Sequence, residues 1–179
     1  QKEREDIDTA ISKAEQENPW FLREFIEYNL DYWSAVLKKP LLQEWLSMYS
    51  IPDTQRKPLW VGLVFAGNIP LVGMHDLICV LLSGHKALIK LSSKDRVLPK
   101  CFIDLLLDIH PPFKERIKIC DHKLGNFDAI IATGSTNTDR YFEYYFAKYR
   151  HIIRKNKNSI AVIKGDESTE ILEKMADDV

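Results

Sequence analysis

Residues 59–91 decide the fold, and they read LWVGLVFAGNIPLVGMHDLICVLLSGHKALIKL. The first seven residues form a short apolar run that is rich in strand-forming side chains. Residues 69–82 are mostly apolar and typical of a buried helix, and Gly84 follows them where a helix commonly ends in glycine. Residues 86–91 again have the pattern of a strand. The stretch therefore predicts a strand, a buried helix and a second strand in succession.

The same alternation continues toward the C-terminus. The predicted helix 97–109 is ended by His110-Pro111-Pro112, because proline cannot continue a helix. The elements predicted after it are strands 117–120 and 128–131, helix 136–149, strand 159–163 and helix 168–175. Alternating strands and helices are typical of βαβ units, in which helices cover a parallel sheet. Residues 58–179 are therefore predicted to form an α/β fold.

Residues 1–52 are predicted to be a helical segment that precedes the sheet. Apolar residues recur there at helical spacing, and Pro40 suits the first turn of a helix, where its missing N–H is not needed. Trp33, Trp45 and Tyr49 belong to this pattern. They could line a ligand pocket, but packing in the core is the favoured interpretation.

The composition indicates an ordinary globular protein. The chain has 179 residues, of which 45% are hydrophobic and 28% are charged, and its formal net charge is -1. This balance argues against intrinsic disorder and against a strongly basic nucleic-acid-binding module. No apolar run approaches the roughly 20 residues of a membrane span, so no span is predicted.

The three cysteines are predicted to be small, buried hydrophobic side chains. No two of them are spaced as a C-x-x-C pair, because they stand at Cys79, Cys101 and Cys120. Neither a zinc site nor a redox pair is therefore expected. No grouping of His, Cys and carboxylate residues has the spacing of a metal site. This cysteine pattern fits a reducing compartment, and a cytoplasmic location is predicted.

Three loops are the candidate ligand-binding segments, because open α/β sheets bind ligands beyond the carboxyl ends of their strands. They are residues 66–70, 90–95 and 132–137. In the third loop Gly134 precedes hydroxyl side chains at a helix start, where an anion can bind. N-capping by Ser135 or Thr136 explains the same pattern without a ligand, so both interpretations stay open. Neither G-x-G-x-x-G nor a P-loop motif is present.

Four segments together resemble the acyl-CoA reductase branch of the aldehyde dehydrogenase superfamily, most closely the LuxC-type fatty acyl-CoA reductases. They are residues 61–76, 82–95, 132–136 and 154–163, in the family's order and spacing, and the resemblance covers residues 18–179. It implies an aldehyde dehydrogenase-like, Rossmann-type parallel sheet with helices on both faces, preceded by an N-terminal helical segment. The implied reaction reduces a fatty acyl thioester to an aldehyde through a Cys nucleophile, with acyl-CoA as substrate and NADP or NAD as cofactor.

The resemblance also implies a set of cofactor-binding residues. Lys90 falls where the family places a lysine against the adenosine ribose, and Ser93 stands where NAD-preferring relatives often have Glu. Serine at that position permits the 2′-phosphate of NADP. Thr133, Gly134 and Ser135 match the loop and helix start that the family places under the cofactor pyrophosphate. The implied residues are Ala66, Gly67, Lys90, Ser92, Ser93, Thr133, Gly134, Ser135 and Thr138.

For the chemistry, the resemblance implies one residue in this chain and one outside it. Asn68 falls where the superfamily places an amide that helps form the oxyanion hole. Arg154 stands nearest to the Glu with which hydrolytic members activate water, which favours CoA-dependent reduction over oxidation to an acid. The family's nucleophilic Cys lies after strand 159–163, where this sequence has none. The chain is therefore expected to be the N-terminal, cofactor-binding part of a longer enzyme, inactive alone, and the complete enzyme could form a homo-oligomer.

Other features have two interpretations each. The adjacent His75 and Asp76 could orient a base, but neighbouring helix residues diverge, so a structural hydrogen bond is favoured. The basic residues between 148 and 157 could bind phosphates of CoA or nucleic acid, but a solvated basic face is favoured, and no nucleic-acid partner is predicted. A second functional hypothesis is a non-catalytic α/β domain that binds a nucleotide or a partner. Titration with NADPH and NAD separates the two hypotheses.

Overall fold

The computed structural model describes residues 2–52, 57–134, 136–154 and 162–177. Within these ranges lie seven α-helices, one 3₁₀-helix at Pro111–Glu115, and five β-strands. The α-helices are α1 (Lys2–Glu17), α2 (Arg23–Val36), α3 (Lys39–Ser47), α4 (Met74–Leu82), α5 (Val97–Ile109), α6 (Thr136–Phe146) and α7 (Thr169–Asp177). The strands are β1 (Trp60–Val64), β2 (Lys86–Lys90), β3 (Ile117–Ile119), β4 (Ala129–Thr133) and β5 (Arg150–Arg154).

The five strands form one parallel sheet with the order β3-β2-β1-β4-β5. Val64 lies beside Lys90 and Ala132 in the register, so β1, β2 and β4 end at the same edge. The chain adds β2 and β3 on one side of β1 and then adds β4 and β5 on the other. Right-handed crossovers place α4 and α5 on one face and α6 on the other. The predicted parallel α/β sheet with helices on both faces, preceded by a helical segment, is confirmed.

The main core lies between the sheet and the helices of one face. Leu63 of β1, Ile89 of β2 and Leu77 of α4 are completely buried, and Ile103 of α5 is nearly so. Ile11 of α1 belongs to the same cluster, because α1 packs along α5. The N-terminal helices therefore share one hydrophobic core with the sheet.

Aromatic side chains cover the opposite face of the sheet. The ring of Phe127 lies over Gly62, where a Cβ would meet it at 3.3 Å. Phe127 packs edge-on against Phe146 at the end of α6, with 6.0 Å between ring centroids, and against Tyr149 at 4.4 Å. Gly62 thus makes room for the aromatic cluster that anchors α6 to the sheet.

Helix α4 is shorter than the apolar pattern predicts. It begins at Met74, whereas residues 69–73 form turns, and Leu71 has a φ of 60° in the left-handed region. Its C-terminal end follows the prediction, because Gly84 has a φ of 81° and donates its N–H to Leu81 O. The helix therefore ends where the sequence indicates and begins later.

The C-terminal part of the sheet differs most from the sequence prediction. The predicted helix 136–149 ends at Phe146, and residues 150–154 form the edge strand β5, which the pattern did not reveal. Most side chains of β5 are exposed, so it lacks the apolar run of a buried strand. In the predicted strand 159–163, residues 159–161 lie outside the described residues, and 162 and 163 form no strand.

The aromatic residues of the N-terminal helices are only partly in the core. Trp33 of α2 is buried, which confirms the core-packing interpretation for that residue. Trp45 of α3 is half-buried and lines an apolar groove of about 390 Å³ between α2, α3 and α4. Tyr49 is exposed. Core packing is therefore wrong for Tyr49 and incomplete for Trp45.

Candidate functional site

A crevice opens beyond the carboxyl ends of β1 and β4, where the strand order reverses. Doubly wound sheets bind dinucleotides at this switch point. The cavity there has a volume of about 280 Å³. Its lining residues come from the strand ends and from the start of α4: Phe65, Ala66, Val72, Gly73, His75, Asp76, Thr133 and Arg154. Two of the predicted cofactor-binding residues, Ala66 and Thr133, therefore lie at this crevice.

An ion pair joins α4 to β5 across the crevice. Arg154 Nη1 donates to Asp76 Oδ2 at 2.7 Å, and the two side chains are 46% and 8% exposed. The buried carboxylate is stabilised by this contact, whereas Arg154 keeps further N–H donors for an anion in the cavity. Arg154 is exposed, as the predicted solvated basic face requires, but it also pairs with Asp76. Lys155 and Lys157, which the same prediction included, lie outside the described residues.

His75 and Asp76 do not act as a pair, and Asp76 makes a structural hydrogen bond to Arg154, in line with the favoured interpretation. His75 Nδ1 lies 3.6 Å from Asp76 Oδ1, which is beyond hydrogen-bond distance, and the imidazole is mostly exposed. The ring instead contacts Cys79 Sγ, which lies 3.8 Å from both nitrogens. Asp76 binds Arg154 instead, so it does not orient His75 as a base.

The predicted loops 66–70 and 90–95 contact each other beside the crevice. Gly67 is buried, and a Cβ there would lie 2.3 Å from Ser92 Oγ. Ser92 Oγ accepts a hydrogen bond from the Lys94 N–H at 3.2 Å. The absence of a side chain at Gly67 therefore permits contact between the loops, in addition to any approach of a ligand.

Asn68 lies on the exposed side of this loop contact. Its side chain is solvent-accessible, and it does not line the cavity, although Ala66 and Val72 on either side of it do. No hydrogen bond of its amide is seen within the described ranges. The amide N–H groups can therefore turn toward a ligand at the mouth of the crevice.

Lys90 ends β2 next to the same loops. Its Nζ donates to Asp121 O at 2.6 Å, and Arg96 pairs with the Asp121 carboxylate. Ser93, three residues after Lys90 in the chain, is exposed. Because an ammonium group has three donors, Lys90 can bind a further oxygen while it holds the loop after β3.

The third predicted loop is described only in part. Gly134 follows β4 and is half-buried, next to Thr133 at the crevice. Ser135 lies outside the described residues, and Thr138 is in α6 with its side chain outside them. The anion-binding and N-capping interpretations of Ser135 and Thr136 therefore both stay predictions.

None of the three cysteines lines the crevice, although Cys79 Sγ lies 3.8 Å from the ring of His75, which does. All three are free thiols and half-buried, so they are less buried than predicted. Burial raises the pKa of the Cys79 thiol, with a contribution from Asp76, and burial likewise raises the pKa of Cys101. A raised pKa disfavours the nucleophilic thiolate, so neither residue has the environment of an activated nucleophile.

Two further features are absent from the described ranges. There, no three His, Cys, Asp or Glu side chains come together as a metal site requires. None of the helices in the same ranges combines the length and the apolar character that crossing a bilayer requires.

The ion pair at the crevice gives a first testable prediction. Arg154→Ala is expected to lower the free energy of unfolding by about 2 kcal/mol, because it leaves the Asp76 carboxylate buried without its partner. Urea unfolding measures the change. Arg150→Ala on the exposed start of the same strand is the control and should change stability by less than about 0.5 kcal/mol. Equal losses in the two variants would contradict a stabilising role for the pair.

Comparison with known families identifies a family to which the chain is similar. A sequence model described as acyl-CoA reductase (LuxC) matches residues 3–179, which is nearly the whole chain. The matched range contains all three crevice loops, and it confirms the resemblance indicated by the motifs. No curated protein matches the chain.

Proposed function

Because the chain belongs to the acyl-CoA reductase (LuxC) family, we propose that it forms the cofactor-binding part of an NAD(P)H-dependent reductase of fatty acyl thioesters. The reaction consumes one NAD(P)H and one proton, and it releases an aldehyde, a thiol and NAD(P)⁺. The observation that carries the proposal is the crevice at the switch point between β1 and β4. It lies where doubly wound sheets of this strand order bind dinucleotides.

The residues around the crevice fit such a cofactor. Lys90, Ser92 and Ser93 offer an ammonium group and hydroxyls at the end of β2, and these groups suit ribose hydroxyls and a 2′-phosphate. Thr133 and Arg154 offer a hydroxyl and a guanidinium group at the ends of β4 and β5, which suit phosphate oxygens. A bound nicotinamide would supply the hydride.

The polar groups at the crevice favour reduction over hydrolysis. Among the described residues that line the cavity, Asp76 is the one carboxylate, and Arg154 binds it. An Asp76 carboxylate held in this way is poorly placed to activate water. The exposed amide of Asn68 can instead donate to the oxyanion that develops from the thioester carbonyl.

We also place the nucleophilic cysteine C-terminal to Val179. The support is that Cys79, Cys101 and Cys120 do not line the crevice, and that the pKa values of the first two are raised. In this arrangement the described residues hold the cofactor and the oxyanion, and a further segment carries the acyl group. The chain by itself should then bind cofactor without reducing acyl-CoA.

Cofactor titration tests the proposal. Lys90→Ala is expected to weaken NADPH binding about tenfold, because it removes a charged hydrogen-bond donor worth about 1.4 kcal/mol or more. Lys86→Ala at the opposite end of β2, where the ammonium group lies over the Trp60 ring, is the matched control and should bind normally. Calorimetry measures both dissociation constants.

A third variant separates the two cofactors. Ser93→Glu should weaken NADPH binding more than NADH binding, because a carboxylate repels the 2′-phosphate. If the unaltered chain binds neither cofactor, the non-catalytic alternative is favoured. If Lys86→Ala and Lys90→Ala weaken binding equally, the cofactor does not lie at the carboxyl end of β2.

A further inference from the structure

We propose that Asp95 is a positioning residue for thioester reduction, because its carboxylate holds the turn that carries Asn68. This inference rests on the proposed function. It adds a residue that the sequence motifs do not single out, and it assigns Asp95 no contact with substrate or cofactor.

Asp95 is a buried carboxylate with one hydrogen bond. The residue is 3% exposed, and its Oδ2 accepts the Leu71 N–H at 2.8 Å. Its Oδ1 is buried and has no partner within the described ranges. Burying a carboxylate that has an oxygen without a hydrogen bond is unfavourable. Asp95 therefore destabilises the folded chain.

The backbone that Asp95 binds is itself in an unfavourable conformation. Leu71 has a φ of 60°, which a side chain with a Cβ rarely adopts. Its side chain is almost completely buried, so packing holds the side chain of Leu71 while Asp95 holds its backbone N–H. Such conformations persist where the surroundings impose them, and they cluster at functional sites.

Asn68 lies between two points at which its loop is held. On one side, Gly67 presses against Ser92, and on the other, Leu71 binds Asp95. Ser92 and Asp95 form an antiparallel β-bridge with each other in the loop that follows β2. The loop that carries the oxyanion donor and the loop that carries the cofactor hydroxyls therefore form one unit.

The loop that holds Asp95 is fixed in turn. Ser92 Oγ accepts the Lys94 N–H, and the Asn18 side chain donates to Lys94 O at 3.0 Å. Loss of the Asp95 carboxylate would release the Leu71 side of the turn only. We therefore expect the amide of Asn68 to move while the groups at the end of β2 stay in place.

The test uses the complete enzyme with saturating acyl-CoA and NADPH. Asp95→Ala should lower kcat about tenfold to a hundredfold, because misplacing a catalytic donor by about 1 Å has that effect. The dissociation constant of NADPH should stay within about twofold. Asp95→Asn, which keeps an acceptor oxygen for the Leu71 N–H, should recover most of kcat. Asp104→Ala on the exposed side of α5 is the control and should be fully active.

The outcomes separate this inference from the proposed function. An unaltered enzyme without thioester reductase activity overturns both. An active enzyme in which Asp95→Ala leaves kcat unchanged, or weakens NADPH binding as much as it lowers kcat, overturns the role of Asp95 alone. So does an Asp95→Asn variant as slow as Asp95→Ala. If Asp95→Ala fails to fold, the amide of Leu71 is replaced by a backbone ester, which has no N–H for Asp95 to bind. The kcat and the NADPH dissociation constant of this ester variant then decide the question.

Discussion

Replacing Asp95 with Asn is expected to stabilise the chain at pH 8 and to leave its stability nearly unchanged at pH 4. Burial raises the pKa of Asp95 from the ordinary 3.8 to about 7. The folded chain therefore holds a proton there that the unfolded chain has lost, and stability falls as the pH rises from about 4 to about 7. At about 1.4 kcal/mol for each pH unit, the loss from this residue reaches up to about 4 kcal/mol.

Asparagine removes this dependence because it does not ionise. Urea unfolding between pH 4 and pH 8.5 measures the free energy of unfolding of the unaltered chain and of Asp95→Asn. The difference between these two free energies should grow up to about pH 7 and then stay constant. Nearby cations do not offset the effect, because Lys94 is exposed and Arg96 pairs with Asp121. Asp104→Asn, at an exposed ion pair with Lys100, is the control for a surface carboxylate. A difference that does not vary with pH would show that Asp95 titrates normally.

Gly73→Ala is expected to lower the free energy of unfolding by about 3 kcal/mol. A Cβ at Gly73 would lie 2.2 Å from the Phe65 ring, and that ring is buried at the end of β1. The backbone of Gly73 has a φ of -75°, which alanine adopts easily, so the effect is steric. Forcing extra volume into a packed core costs about 1–3 kcal/mol, and here a rigid ring must move.

Two comparisons make this result interpretable. Gly125→Ala should be nearly neutral, because its new Cβ would meet Leu88 at an ordinary 3.9 Å. Phe65→Ala combined with Gly73→Ala should lose less stability than the two single changes together, since removing the ring makes room for the methyl group. Additive losses would mean that Gly73 matters for another reason. Because both residues line the crevice, cofactor titration of the same variants shows whether the cavity shape changes as well.

Local pattern determined the regular elements in the middle of the chain. Helix α5 spans 97–109 as predicted, because its apolar spacing is helical and His110-Pro111-Pro112 ends it. Strands β1, β2 and β4 are apolar runs between turn residues, and in a parallel sheet such runs are buried on both faces. The loops after these strands could therefore be identified as candidate sites before any contact was known.

Edge position explains the strand that the pattern missed. Arg150, His151 and Arg154 make β5 polar, and the strand still pairs along its whole length with β4. An edge strand that is exposed on most of its surface needs no apolar run. Its place in the sheet follows from backbone pairing with β4, which no local sequence signal encodes.

The sequence by itself determined the parallel α/β fold, the helical segment before it, the family and the loops at the carboxyl ends of the strands. The reason is that periodicity, glycine and proline act within a few residues of their own position. Tertiary structure alone decided that residues 69–73 leave the helix, since the Asp95 carboxylate, 24 residues away, holds Leu71. It alone paired Arg154 with Asp76, 78 residues apart. Burial of a charge and contact between distant loops depend on the whole fold, and these contacts shape the crevice.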